Sequence, residues 1–120
     1  MAYGMTNAAT ATAQEVFDFV VAHARRQDKH AFLENTVCAY RSTDGLACFF
    51  GCLIPDEAYK PEFEGKSCTA PVIWASAGLA VAHVHLCRAL QAVHDCSPLH
   101  AWETGLERVA KDYKLVYTAA

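Results

Sequence analysis

The densest run of groups able to ligate or titrate is His83-Val-His-Leu-Cys87, followed downstream by His94 and Cys96. On a strand, His83, His85 and Cys87 would share one side and offer three metal ligands. On a helix only His83 and Cys87 share a face. The surrounding Ala, Leu and Gln residues and a 3.6-residue apolar period favour helix. That makes the pair a core histidine beside a core cysteine, with a zinc ion held by His83, Cys87, Cys48 and Cys52 as the alternative. Cys48-Phe-Phe-Gly-Cys52 separates its thiols by three residues rather than the two of common zinc knuckles. A nucleophilic cysteine needs a paired histidine and an electropositive setting, and no local signature singles one out. Phosphate-cradling loops, dinucleotide fingerprints and Gly-x-Ser-x-Gly are also missing. No enzyme activity and no cofactor are expected.

A second group of residues suits recognition better than catalysis. Tyr40 and Arg41 adjoin the turn Ser42-Thr-Asp-Gly45, and Asp56, Glu57, Glu62 and Glu64 lie on the following loop with Tyr59 among them. Aromatic rings beside charges on supported loops make binding hot spots. The expected binding surface is therefore Tyr40, Arg41, Asp44, Asp56, Glu57, Tyr59, Glu62 and Glu64. Carboxylates would meet a basic partner, whereas Arg41 and Tyr40 would hold a phosphate and stack on a base.

The elements that must position these groups can be read from periodicity. Residues 1–11 have no apolar period and are expected to form a loose tail before a single domain at 12–120. Thr12-Ala-Gln-Glu15 forms a capping box that opens a helix, whose apolar face is Val16, Phe17, Val20, Val21 and Ala24. From Asn35 to Phe50 the period changes. Val37–Arg41 and Leu46–Phe50 read as two strands joined at Gly45, a hairpin. Pro55 opens a short turn. A helix from Gly78 to Asp95 and another from Pro98 to Tyr113 follow, with Ser97 as N-cap of the second. The expected fold is α+β in the order α-β-β-(short turn)-α-α, with helices packed on the hairpin. Phe17, Val20, Leu86, Leu90, Leu106 and Val109 should share its core.

Composition bounds the function classes. The 120-residue chain carries a net charge of −3 and is 53% hydrophobic, which suits one globular domain. Non-specific nucleic-acid binding, driven by counterion release onto basic surfaces, is not expected, nor is membrane association. The start has no secretory pattern, so the six cysteines (Cys38, Cys48, Cys52, Cys68, Cys87, Cys96) are expected as reduced thiols in the cytoplasm.

Four segments carry a resemblance: Gln14-Glu-Val-Phe-Asp18; Cys38-x-Tyr-Arg-x-x-Asp-Gly-Leu-x-Cys48; Gly51-Cys-Leu-Ile-Pro-Asp56 with Tyr59 and Glu62-x-Glu-Gly65; and Leu90-Gln-x-x-His-Asp95 with Trp102. In that order the chain resembles a family of small uncharacterised open reading frames of bacteriophages and prophages. The resemblance implies a genetic setting, a mobile element expressed in a bacterial host cytoplasm, and no residue roles. Small non-enzymatic proteins from that setting often inhibit host defence. The expectation is a non-catalytic, anti-CRISPR-like inhibitor that binds a defence protein or complex. The alternatives are a sponge for a nucleotide second messenger and a Cys/His metal-binding protein or enzyme. Self-association is left open.

Overall fold

A capping box sets the start of the first helix, α1 (Ala13–Gln27). The Thr12 hydroxyl accepts from the Glu15 N–H, and the Glu15 carboxylate accepts from the Thr12 N–H. Two orphan donors of the first turn are thus satisfied. In the computed structural model, which describes residues 2–33 and 37–120, three further α-helices follow: α2 (Pro71–Ser76), α3 (Val84–Cys96) and α4 (Trp102–Asp112). Short 3-10 turns at Gly51–Leu53, Asp56–Ala58, Pro61–Phe63, Val81–His83 and Leu99–Ala101 fill much of the remaining chain. The molecule is mostly helical.

The expected helices-on-hairpin α+β fold is not what forms. Among the described residues the β structure is a two-residue antiparallel ladder, β1 (Phe32–Leu33) with β2 (Val37–Cys38). Asn35, where the change of period begins, lies outside the described residues. Of the expected pairing across 42–45, a single bridge survives, Arg41 with Ala47. The turn itself is present, closed by Ser42 N–H to Leu46 O at 2.8 Å with Gly45 at φ 86°, a backbone region that suits glycine.

The reason for the missing ladder lies in where the backbone groups go. The Tyr40 and Arg41 N–H groups donate to the Glu64 carboxylate at 2.9 and 3.1 Å. The Ala47 N–H donates to Gln27 Oε1, and the Phe50 N–H donates to Gln91 Oε1. Side chains thus take the positions that a neighbouring strand would have filled. The run 47–54 is buried at every residue instead of at alternate ones. Continuous apolar runs of this length do not distinguish strand from buried turn.

The core gathers around this irregular segment. Phe17, Val20, Leu86, Leu90, Leu106 and Val109 are all buried in one cluster with Phe49, Phe50, Leu53 and Ile54. Helices α3 and α4 pack closely because Gly105 faces Val93. A Cβ at Gly105 would stand 2.9 Å from Val93 Cγ1, which accounts for a helix-weakening residue at that position.

Both chain ends are fastened to the body. The segment expected as a loose tail is docked: Gly4 N–H donates to Cys52 O at 2.8 Å, and the Tyr3 hydroxyl donates to Gly45 O at 2.6 Å. After α4 the chain returns along α1. The Gln14 amide brackets the Val116 peptide, accepting from its N–H at 2.8 Å and donating to its O at 3.0 Å. Arg25 grips Glu103 with two hydrogen bonds and donates a third to Thr118 O.

Candidate functional site

Sequence placed recognition on the loops at 40–64, and the fold brings Tyr40, Arg41, Asp56, Tyr59 and Glu64 together. The agent is Arg41. Its guanidinium donates to Gly51 O at 2.6 Å, Ile54 O at 2.8 Å and Asp56 Oδ1 at 3.1 Å. It lies 4.4 Å from the Tyr3 ring centre and 5.1 Å from the Tyr59 ring centre, a cation held between two aromatic rings. With its side chain only 12% exposed, Arg41 is a structural clamp between loops.

Its neighbours are similarly engaged. Tyr40 is buried, and its hydroxyl donates to Lys66 O at 2.5 Å. The Tyr59 hydroxyl donates to Glu64 Oε2, the same carboxylate that caps the 40–41 backbone. Burial, with Glu64 beside it, pushes the Tyr59 hydroxyl well above its usual range. Tyr40 and Arg41, the pair read as a phosphate-and-base grip, are therefore taken up internally. Asp44, Asp56, Glu57 and Glu62 are exposed. Asp44 accepts from Ser42 Oγ, and Asp56 accepts from Arg41 and from the Tyr3 N–H. The turn 42–45 and the turn Asp56–Ala58 are thereby fixed to one another through Tyr3 and Arg41.

The histidine–cysteine run does not converge. His83 Nε2 lies 2.8 Å from Ala11 O, where a ring N–H donates to the carbonyl. Cys87 is buried in the core. Cys48 Sγ accepts from the Gly51 N–H, and the Cys52 thiol donates to Phe49 O. The metal-capable group among the described residues is a different one: Cys38, His94 and Asp95, whose ligand atoms lie within 4.8 Å of one another. Periodicity did not reveal it, because Cys38 sits on β2 while His94 and Asp95 end α3.

Hydrogen bonding shows what this cluster can do. His94 is fully buried, and its Nε2 accepts from the Ala31 N–H at 3.0 Å. The proton must then sit on Nδ1, which donates to Asp95 Oδ1 at 2.8 Å. A metal at Nδ1 would require Nε2 to carry the hydrogen and donate outward. Here Nε2 faces a donor, so the ring is set to orient Asp95 and not to ligate. Gln91 Nε2 also donates to Asp95 Oδ1 at 2.8 Å. Burial pushes the Asp95 carboxyl up, but the His94 and Gln91 donors outweigh it and hold the carboxyl below its usual range.

The cluster opens on a cleft of about 470 Å³ between α3 and the chain at 38–40 and 65–68. Arg88, Gln91, Ala92, Asp95 and Cys96 form its helical wall, at the spacing of one helix face. Tyr40, Cys48 and Cys68 line it from the other side. Burial, with the Asp95 charge alongside, pushes the Cys38 thiol up to about 12, and burial raises Cys48 and Cys68 as well. These thiols stay protonated at neutral pH and are poor nucleophiles. Lys66 and Arg88 are exposed at this cleft and make no side-chain hydrogen bond or ion pair among the described residues. Neither residue stands in a spacing or motif that marks it in the sequence.

No helix among the described residues is long and apolar enough to cross a membrane. No family profile, curated protein or solved structure matches this chain.

Proposed function

We propose that this protein works by binding and not by chemistry, docking on a basic face of a partner protein through Asp44, Asp56, Glu57 and Glu62. The observation that carries this reading is the clamp beneath them. Arg41, Tyr3 and Glu64 tie the loops bearing these exposed carboxylates into one supported edge. Charges carried on supported loops steer association, and the loop backbone loses little entropy on docking. The protonated thiols and the committed imidazole at Cys38, His94 and Asp95 speak against a cysteine hydrolase. The resemblance to phage and prophage reading frames supplies the setting, a bacterial host cytoplasm. There an acid-presenting binder would inhibit a defence complex that grips nucleic acid, in the manner of an anti-CRISPR protein.

The test is charge reversal at two residues with no side-chain partner among the described residues, Glu57→Lys and Glu62→Lys, in a phage-protection assay. Both variants should fold normally and lose protection, and binding of wild type to the captured partner should weaken with salt. Full protection by folded Glu57→Lys and Glu62→Lys proteins would remove this surface from consideration. Arg41→Ala is no substitute, because it dismantles the scaffold.

A further inference from the structure

We propose that the cleft beside α3 is a second binding site, one that takes a phosphorylated nucleoside. The argument starts from how this chain uses its cations. Arg25 is committed to Glu103 and Thr118 O, and Arg41 is sealed between Tyr3 and Tyr59. Lys66 and Arg88 instead border the same cavity from opposite walls, with no carboxylate paired to either among the described residues. In a chain with a net charge of −3, a cleft rim bearing two such cations is a local site for an anion.

The interior is complementary to the rest of such a ligand. Asp95 Oδ1 already accepts from His94 and Gln91, and the Cys38 thiol also hydrogen-bonds the carboxylate, which fixes it at the cleft wall with lone pairs remaining for a ligand donor. A ribose diol or the amino group of a base presents that donor. Inorganic phosphate has only its own P–OH to offer, on an anion that the Asp95 carboxylate repels, whereas a nucleoside presents its donor at a distance from the phosphate. Cys48, Cys68 and the Tyr40 ring give a largely apolar, polarisable lining where a base can lie. A volume of about 470 Å³ falls within the range of small-ligand sites and exceeds what a bare anion needs. Arg88 and Lys66 would hold the phosphate, Arg88 in the forked geometry that suits phosphate oxygens. The phosphate thus falls to residues other than Arg41, and the cleft shares no residue with the proposed protein-docking carboxylates.

The experiment is an amide NMR titration of the intact protein with AMP, GMP, CMP and UMP, and in parallel with adenosine, ribose 5-phosphate and inorganic phosphate. At least one monophosphate should shift Gly65, Lys66, Arg88 and Asp95 saturably, and more tightly than its nucleoside or phosphate alone. Arg88→Ala and Lys66→Ala, both at exposed positions, should each weaken that binding by about tenfold, the scale of one lost charge-assisted hydrogen bond. Asp95→Asn should weaken the nucleotide more than inorganic phosphate. Glu57→Lys and Glu62→Lys should leave the titration unchanged, so failure here and failure of the docking surface are read separately. Absence of shifts with all four monophosphates would overturn the proposal. So would phosphate binding as tightly as nucleotide, or shifts that persist in the Arg88→Glu, Lys66→Glu double variant.

Discussion

Arg41 is a structural cation whose value depends on shape as much as charge. Its fork reaches Gly51 O, Ile54 O and Asp56 at once while two rings flank its plane. Lysine offers a point charge that cannot span three acceptors. Arg41→Lys should therefore destabilise the protein by about 2–3 kcal/mol in urea unfolding, since buried carbonyls lose their donors. A change under about 0.5 kcal/mol, the usual surface range, would show that the clamp is dispensable. His23 gives a pH signature. It is buried, and its Nε2–H donates to Ala47 O. Burial drives its pKa below the ordinary 6.5, against the raising effect of that hydrogen bond. The folded state then binds fewer protons than the unfolded chain once the pH falls through 6.5. Stability is full above that value and falls as the pH drops towards the depressed folded value, by up to about 1.4 kcal/mol per pH unit. His23→Gln keeps a donor for Ala47 O and should flatten this limb of a pH-stability profile.

Helices were legible because their signals are local. The capping box of α1, the apolar stripes of α3 and α4, and the burial of Leu90 all follow from spacing within one element. Leu90→Ala should accordingly cost about 2–5 kcal/mol, measured by denaturant titration. The short helix α2 carried less signal, because Pro71–Ser76 is too brief to show a period. The hairpin misled for a different reason. Residues 40–50 have strand-like composition, but Glu64, Gln27 and Gln91 occupy their amides, and no pattern within the segment announces partners that far away. The candidate cleft was hidden likewise, since Cys38, Lys66, Arg88 and Asp95 converge only in the fold. Thiol labelling tests this arrangement. Cys96 is exposed, Cys38 half-buried, and Cys48, Cys52, Cys68 and Cys87 buried. An alkylating reagent should modify Cys96 first, Cys38 slowly and the other four only on unfolding. Denatured, unreduced protein should titrate six thiols, and zinc found in stoichiometric amount would contradict the orientation assigned to His94.

Across the whole molecule, the three glutamines of the chain do one kind of job. Gln14 brackets the peptide of Val116, Gln27 that of Ala47, and Gln91 joins Phe50 to Asp95. Each lies on a helix and secures chain that has no regular partner of its own. The consequence is kinetic. The Phe50 amide finds its acceptor 41 residues away, so that bond cannot form until α3 has been delivered to the middle of the chain. Contacts of long sequence separation pay their loop-closure entropy first and are rewarded last. Helix docking, led by α3 and α4 with their short connection, should precede the locking of residues 40–54. Gln91→Ala should then leave the refolding rate nearly unchanged and speed unfolding, whereas Leu90→Ala should slow refolding as well. Stopped-flow chevrons of the two neighbouring variants would display the difference, and slowed refolding in Gln91→Ala would place the irregular segment in the transition state instead.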